Sequence, residues 1–118
     1  MNKHEKINYV ELPSKDIQKT KAFFIQAFSW VFEDFGPEYT AFSNQDIDGG
    51  FFKSDMSSST VNGAALIVLY SEDLKATQEK IEKNGGIIIK PVFSFPGGRR
   101  FHFTEPGGNE LGVWSDKS

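Results

Sequence analysis

The sequence predicts an α+β fold built from two copies of one structural unit. The segment Glu11–Ile17 is a short apolar strand that runs into a serine and an acidic helix start, and Val68–Leu74 repeats this order. Asp16 and Asp73 lie 57 residues apart in a chain of 118 residues. A repeat at half the chain length indicates two supersecondary units that must pack together to close a core. A chain of this length forms one domain, so both units are expected to share it.

The composition excludes several classes of function. With 25% charged residues and a net charge of −3, the chain has neither a basic surface for nucleic acid nor a disordered acidic character. The absence of cysteine excludes disulfides, thiolate metal sites and a cysteine nucleophile. No apolar run is long enough for a membrane span, and the N-terminus lacks the apolar stretch of a signal peptide. We therefore expect a soluble cytoplasmic protein that binds small molecules or proteins, with no nucleic acid or membrane partner.

The first unit is predicted to begin with a strand over Ile7–Leu12, where apolar and mixed residues alternate. A helix capped by Ser14 or Asp16 follows and runs through Trp30, because apolar residues recur at helical spacing. The serine-rich segment Asp55–Asn62 has no periodic apolar residues and is expected to link the two units. Two further strands of the first unit are predicted at Tyr39–Ser43 and Gly50–Lys53.

The second unit opens with a nearly continuous apolar run, Ala64–Tyr70, which predicts a central strand covered on both faces. A helix over Glu72–Lys83 carries one apolar stripe, and Asn84–Gly86 supplies a left-handed cap at its end. Three closing strands are predicted at Ile87–Lys90, Arg99–Thr104 and Glu110–Trp114. Both units thus contain a strand, a helix and then two or three strands. We expect a single domain over residues 1–118, with module 1 at about 5–56 and module 2 at about 63–115.

Two segments resemble the vicinal oxygen chelate superfamily, which contains glyoxalase I, bleomycin resistance proteins and extradiol dioxygenases. Phe103–Val113, preceded by Gly85–Gly86, resembles its closing hairpin, and Tyr9–Pro13 with Asp16 and Phe23–Phe24 resembles its opening strand and helix. The resemblance covers the length of the chain. It implies two tandem βαβββ modules that form an incomplete barrel, a ligand held in the concave cup of that barrel, and a homodimer. The alternative from the element order is an unrelated ferredoxin-like α+β repeat.

The resemblance also implies which positions would hold a metal. Members with metal chemistry bind one divalent ion through His, Glu or Gln side chains that project into the cup. In this sequence those positions fall on Tyr9, Leu66 and Gly112, none of which is a usual ligand. The only two histidines are His4 and His102, so one chain cannot assemble a histidine-rich site. We therefore expect no metal cofactor, although a one-residue error in the alignment would restore one ligand.

Strand alternation selects the side chains that would face the cup. If Val10 and Leu12 pack under the first helix, Tyr9 and Glu11 face the cup. The same parity places Phe101, Phe103, Leu111 and Val113 in the core, and Glu110 outside it. The candidate ligand-binding residues are Tyr9, Glu11, Tyr70, Arg100, His102 and Trp114.

These residues suggest chemistry, but each has a simpler interpretation. Glu11 and His102 are the candidate acid–base pair, and Arg100 is a candidate partner for an anion. The simpler interpretations are an ion pair between Glu11 and Arg100, and a structural role for His102 as a hydrogen-bonded side chain. Trp114 covers either a ligand or a dimer interface. The loop Phe95–Arg100 is either a lid over an anionic ligand or an ordinary hairpin turn.

Three functions remain after these considerations. The leading hypothesis is a glyoxalase/bleomycin-resistance-like protein that binds a small anionic or aromatic organic ligand in its cup without the usual metal. The alternative is a glyoxalase-like lyase or isomerase, or a dioxygenase-related enzyme, that uses Glu11 and His102 or a metal bound in another register. In the third, the cup is filled by the protein's own side chains and the dimer surface matters.

Overall fold

The computed structural model describes residues 2–117. It contains eight strands and two helices, with a short 3₁₀ turn over Thr60–Asn62. The strands are β1 (Tyr9–Ser14), β2 (Val31–Asp34), β3 (Tyr39–Ser43), β4 (Asp48–Lys53), β5 (Ile67–Tyr70), β6 (Ile87–Phe95), β7 (Gly98–Thr104) and β8 (Glu110–Ser115); the helices are α1 (Ile17–Phe28) and α2 (Leu74–Lys83). Among the described residues, no helix is both long and apolar enough to cross a membrane.

The strands form two open four-stranded sheets with the same topology. The first sheet has the order β1-β4-β3-β2 and the second has the order β5-β8-β7-β6. In each sheet the first strand of the module pairs in parallel with the last, and the other pairs are antiparallel. The predicted fold class, two tandem βαβββ modules in an α+β arrangement, is therefore confirmed.

One core joins the two modules. Phe23 of α1 lies 5.8 Å, ring centre to ring centre, from Phe103 of the second sheet. Its neighbour Phe24 stacks on Trp30 at 4.3 Å and on Phe51 at 5.6 Å. The inner faces of both sheets thus pack around shared phenylalanines, as burial of apolar surface requires. The alternate residues of each strand are left on an outer face.

The helix starts repeat in atomic detail. Asp16 caps α1 by accepting from the Lys19 N–H at 3.1 Å, and Asp73 caps α2 by accepting from the Ala76 N–H at the same distance. The cap of α1 is therefore Asp16, while Ser14 accepts from the Asp16 N–H. α1 ends at Phe28, two residues before the predicted end, because Ser29 adopts a left-handed conformation with φ of 60°.

One strand prediction was wrong, and one strand was not predicted at all. The run Ala64–Tyr70 was expected to be a central strand, but only Ile67–Tyr70 forms β5, which pairs with β8 alone and lies at a sheet edge. Val68 and Tyr70 are 39% and 48% exposed. A local apolar run does not specify which face of an edge strand is covered. The strand β2 was not predicted, because four residues of mixed polarity carry too short an alternation.

Candidate functional site

The outer face of the second sheet carries a polar cluster contributed by β7 and β8. In the register of these strands, His102 lies opposite Gly112 and Arg100 lies opposite Trp114. Phe101 and Phe103, between and beyond the polar pair, are fully buried on the inner face. A Cβ atom on Gly112 would lie 3.4 Å from Arg100 Nη2. Gly112 therefore lies directly beside Arg100 and His102, where a methyl group would make ordinary contacts and a longer side chain would meet both residues.

Arg100, His102 and Glu110 form a chain of hydrogen bonds. Arg100 Nη2 lies 2.9 Å from His102 Nε2, and His102 Nδ1 lies 2.8 Å from Glu110 Oε2. A guanidinium only donates, so Nε2 must accept and the imidazole proton must lie on Nδ1, from which it is donated to the carboxylate. These hydrogen bonds therefore fix His102 as one neutral tautomer, and the bond to its Nε2 fixes the orientation of the Arg100 guanidinium.

Glu110 is the anchor of this chain. It exposes only 4% of its surface, and its Oε1 accepts from the Thr60 N–H at 2.8 Å and from the Thr60 hydroxyl at 2.9 Å. Burial opposes ionisation, but the Thr60 N–H, the His102 ring and the Thr60 hydroxyl together outweigh it and lower the pKa of Glu110 below its ordinary value. A charged carboxylate therefore sits beneath the sheet surface at neutral pH.

The linker supplies the groups that cover Glu110, which the sequence analysis did not predict. Ser58 donates its N–H to the side chain of Asn109 at 2.9 Å, and its carbonyl accepts from the Glu110 N–H at 2.8 Å. Thr60 then opens the 3₁₀ turn against the carboxylate. Glu110 was placed on the correct face by strand parity, but its burial was missed. The signal in the sequence is the hydroxyl-rich run at 57–60, which offers several donors at a turn.

Aromatic rings enclose the guanidinium of Arg100. Its Cζ lies 5.7 Å from the centre of the Phe93 ring and 5.6 Å from that of Phe95. Within residues 2–117, its buried Nε has no hydrogen-bond partner and no carboxylate lies at ion-pair distance. The Phe95 ring is 6.1 Å from Trp114, which is 5.1 Å from Tyr70. The result is a half-buried cation in an aromatic slot, linked to the Glu110 carboxylate only through His102 and without a directly paired carboxylate among residues 2–117.

The first sheet carries a separate cluster of hydroxyl and carboxylate groups. Tyr39 donates its hydroxyl to Glu11 Oε2 at 3.0 Å, so the Tyr9 hydroxyl, 2.5 Å from that of Tyr39, donates to Tyr39. Burial, then the bonds to Tyr9 and Glu11, raise the pKa of Tyr39. A Cβ on Gly50 would come within 2.5 Å of Tyr39 Cζ, so this glycine makes room for the ring. Tyr39 was missed, although strand parity within 39–43 was the available signal.

Comparison with known proteins decides the family. A family model described as Glyoxalase/Bleomycin resistance protein/Dioxygenase superfamily matches residues 6–113. The chain belongs to this superfamily. A glyoxylase-like domain-containing protein from Didymella fabae is 28% identical over 113 residues, which cover 86% of this chain and 88% of that protein. The resemblance of the hairpin and the opening strand to the vicinal oxygen chelate superfamily is thereby confirmed.

Solved structures of superfamily members share the fold. A glyoxalase-related enzyme from Fulvimarina pelagi superposes with a TM-score of 0.76 at 13% identity, covering 94% of this chain and 88% of that one. An antibiotic binding protein from Streptomyces sp. CB03234 superposes with a TM-score of 0.66 at 16% identity, covering 94% and 95% of the two chains. At such identities the likeness shows the fold and not the activity, since one fold hosts many functions.

The side chains do not fit the divalent ion that metal-dependent members of the superfamily bind. Gly112 offers no donor atom, Leu66 is apolar, and the hydroxyl of Tyr9 is committed to Tyr39. Over residues 2–117, no group of three or more His, Cys, Asp or Glu residues is placed to hold a metal. The Arg100 guanidinium lies beside Gly112, where it would repel a second cation.

The structure distributes the sequence-predicted site residues over both sheets. Tyr9 and Glu11 belong to the first cluster, whereas Arg100 and His102 belong to the second. The candidate acid–base pair is not in contact, because Glu11 bonds Tyr39 and His102 bonds Glu110. The alternative ion pair between Glu11 and Arg100 is likewise not formed within the described residues. Trp114 and Tyr70 flank the second cluster, and the Tyr70 hydroxyl bonds Asp116.

Proposed function

We propose that this member of the glyoxalase/bleomycin resistance protein/dioxygenase superfamily binds a small organic anion with a planar aromatic part on the outer face of its second sheet. Arg100 is the observation that carries this proposal. Among residues 2–117, this half-buried guanidinium has no carboxylate at ion-pair distance and its Nε has no hydrogen-bond partner, so it has donors to offer. Guanidinium forks match carboxylates and phosphates in geometry, and such charge-assisted bonds are the strong ones.

The surroundings of Arg100 support an aromatic ligand. Phe93 and Phe95 flank the guanidinium, and Trp114 and Tyr70 extend the aromatic surface beyond it. Ring faces and edges would pack on a planar ligand, while the guanidinium would bind its anionic end. The hydrogen bond from Arg100 to His102 keeps the cation in one orientation, so that little side-chain entropy is lost on binding.

The proposal includes a homodimer and a metal-free site. Tyr9 is 43% accessible, Ile87 and Ile89 of β6 are 64% and 48% accessible, and a second copy would cover these apolar side chains. The guanidinium supplies the positive charge that a divalent ion supplies in metal-dependent members. A cytoplasmic location is part of the same proposal and rests on the cysteine-free composition.

The test uses naphthoate as the probe and naphthamide as its uncharged counterpart. We expect calorimetry to show saturable binding of naphthoate and at least about tenfold weaker binding of naphthamide. Arg100→Gln should weaken naphthoate binding by at least about tenfold. Arg99→Gln is the matched control, since Arg99 is the exposed neighbour on the same strand and should retain binding. Equal losses in both variants, or equal affinity for the two probes, would refute the role of Arg100.

The enzyme hypothesis has one observation in its favour. Glu110 orients His102, as a carboxylate orients the imidazole of a general base. However, His102 Nε2 accepts from Arg100, so the base is free only if the guanidinium turns away. Turnover of the hemithioacetal of methylglyoxal and glutathione, assayed with and without added Ni²⁺ or Zn²⁺, separates the two functions. Turnover that His102→Gln abolishes would establish an enzyme.

A further inference from the structure

The internal repeat predicts that each module packs a turn between two strands against the helix start of the other module, but the two junctions differ. At the first junction, side chains of the turn between β7 and β8 form hydrogen bonds with residues at the start of α1. Asn109 Nδ2 donates to the Pro13 carbonyl at 2.6 Å, and the Thr20 hydroxyl donates to Glu105 Oε1 at 2.8 Å. Glu105 is only 2% exposed. This junction is closed by protein side chains.

The equivalent junction in the other half is open. The turn at 44–47 between β3 and β4 faces the start of α2, and within residues 2–117 no hydrogen bond joins this turn to Ser71 or Thr77. A cavity of about 1000 Å³ lies between them. Its volume is at the upper end of the range for small-molecule sites, about 300–1,000 Å³.

The open junction contains a pair of hydroxyl groups, Ser71 and Thr77, that corresponds to Ser14 and Thr20 at the closed junction. Ser71 Oγ and Thr77 Oγ1 lie 2.7 Å apart, as do the corresponding oxygens of Ser14 and Thr20. Two hydroxyls share one proton in such a contact, which leaves the other proton for a further acceptor. In the first module that acceptor is Glu105, whereas at Ser71 and Thr77 none is recorded among the described residues. The cavity therefore offers a hydrogen-bond donor in its wall.

The rest of the wall is aromatic and aliphatic. Trp30 stacks against Phe24 at 4.3 Å and lies 4.8 Å from Phe42, which gives the cavity a rigid flat side. Facing it, β5 contributes its inward side chains. The apolar residues that line the cavity include Phe28, Trp30, Phe42, Ile67, Leu69 and Val113. Such a wall suits a flat apolar ring system.

The rim is acidic. The exposed residues Asp46, Glu72 and Asp73 contribute three carboxylates to the lining, in which Lys80 is the one cation among the described residues. The Lys80 ammonium is turned onto the Phe28 ring, 5.5 Å from its centre. The local charge thus favours a cation and opposes an anion. This sign is opposite to that of the Arg100 slot on the outer face.

We propose that this cavity is a second ligand site, which takes a planar aromatic cation bearing a hydrogen-bond acceptor. The ring would lie against Trp30, the acceptor would take the free hydroxyl proton of the Ser71–Thr77 pair, and the charge would face Glu72. The cavity shares Tyr70 and Trp114 with the surroundings of the anion site, but its lining includes neither Arg100 nor His102, so the two sites differ in the charged groups that would hold a ligand.

The test titrates the full chain by calorimetry with acridine orange, a planar cation, and with anilinonaphthalene sulfonate, an anion. We expect one acridine orange per chain and, in the Arg100→Gln variant, which lacks the proposed anion site, at least about tenfold weaker binding of the anion than of acridine orange. Ala76→Phe should fill the cavity and weaken acridine orange binding by at least about tenfold. Ala22→Phe is the matched control, because Ala22 is also an exposed helical alanine but lies outside the lining.

Further variants keep the test decisive if Ala76→Phe fails to fold. Glu72→Gln lies on an exposed turn and should weaken acridine orange binding by about threefold, as the loss of one partly solvated charge implies. Arg100→Gln should leave that binding unchanged while it removes naphthoate binding. The proposal is overturned by non-saturable binding of acridine orange, by equal affinity for both dyes in Arg100→Gln, or by loss of acridine orange binding in that variant. Light scattering that shows a native dimer and a monomeric Ala76→Phe variant would also overturn it, since the cavity would then be an interface between copies.

Discussion

Replacing Glu110 by glutamine should uncouple the hydrogen-bond chain that holds Arg100. A glutamine has one acceptor oxygen, which can keep the bonds from the Thr60 N–H and hydroxyl at 2.8 and 2.9 Å. Its NH₂ group then faces the protonated Nδ1 of His102 over the present 2.8 Å contact. Two donors cannot bond each other, so the imidazole must move its proton to Nε2. That nitrogen then faces the donors of Arg100 at 2.9 Å, so one contact in the chain is lost in either tautomer.

The size of the effect follows from the burial of these groups. His102 and Glu110 are 7% and 4% exposed, so water cannot replace the lost partner. A hydrogen bond to a charged group contributes about 1.5–3 kcal/mol, and an unsatisfied buried donor costs about 1–3 kcal/mol. We therefore expect Glu110→Gln to lower the free energy of unfolding by about 3 kcal/mol at neutral pH. Glu79→Gln on the exposed side of α2 is the control and should change it by less than about 0.5 kcal/mol.

The pH dependence provides a second check on the same carboxylate. Because the pKa of Glu110 in the folded chain is lowered below its ordinary value of 4.5, its ionised form stabilises the fold at every pH above that value. This stabilisation is lost as the pH falls through the folded pKa. The difference between wild type and Glu110→Gln should therefore be constant above pH 4.5 and shrink below it.

Urea unfolding followed by circular dichroism, at a series of pH values, measures both quantities. An unfolding free energy for Glu110→Gln equal to that of the Glu79→Gln control would refute the proposed chain. A difference that persists undiminished far below the folded pKa would show that packing, and not the carboxylate charge, stabilises this site.

Three further changes test the core and the two clusters. Phe23→Ala should lower the free energy of unfolding by about 3–5 kcal/mol in urea, because this 2% exposed ring joins α1 to the second sheet. Gly50→Ala should cost about 1–3 kcal/mol, since the new Cβ would come within 2.5 Å of Tyr39 Cζ, and it should cost less in a Tyr39→Ala background, where the ring is absent. Gly112→Glu should weaken naphthoate binding at least about tenfold by pairing with Arg100. Gly112→Ala, whose Cβ makes an ordinary 3.4 Å contact, should bind within about threefold of wild type; a similar loss in both variants would contradict the pairing.

Local chemistry explains what could be predicted from the sequence. The cap of α1 was among the two predicted residues because an aspartate cap needs only the N–H three residues onward, whereas α2 begins at Leu74, two residues after the predicted Glu72, because Asp73 is its cap. The alternation in β7 was predicted because neighbouring side chains of a strand must take opposite faces, which separated His102 from the buried Phe101 and Phe103. Both inferences use residues within one turn or one strand.

Contacts between distant parts of the chain explain what was missed. The hydrogen bonds from Thr60 to Glu110 span 50 residues, and the one from Tyr39 to Glu11 spans 28. No short sequence pattern indicates either contact. Strand parity therefore predicted the face of the sheet that carries Glu110, but not its burial beneath Thr60. The edge position of β5 was missed for the same reason, since its exposure depends on which strands pair and not on its own residues.

Gly112 and Arg100 are best understood together. The resemblance to metal-dependent members places a metal-binding glutamate at the position of Gly112, where a carboxylate would lie next to the guanidinium and neutralise it. Glycine places no carboxylate beside the guanidinium, which His102 holds in place through its Nε2 atom. A guanidinium binds an anionic oxygen through hydrogen bonds and charge, but it cannot accept that oxygen's electron pair as a metal ion does. On our proposal, these two residues therefore retain the superfamily's affinity for anionic oxygens at this place while removing its Lewis acid, which favours binding of a ligand over its conversion.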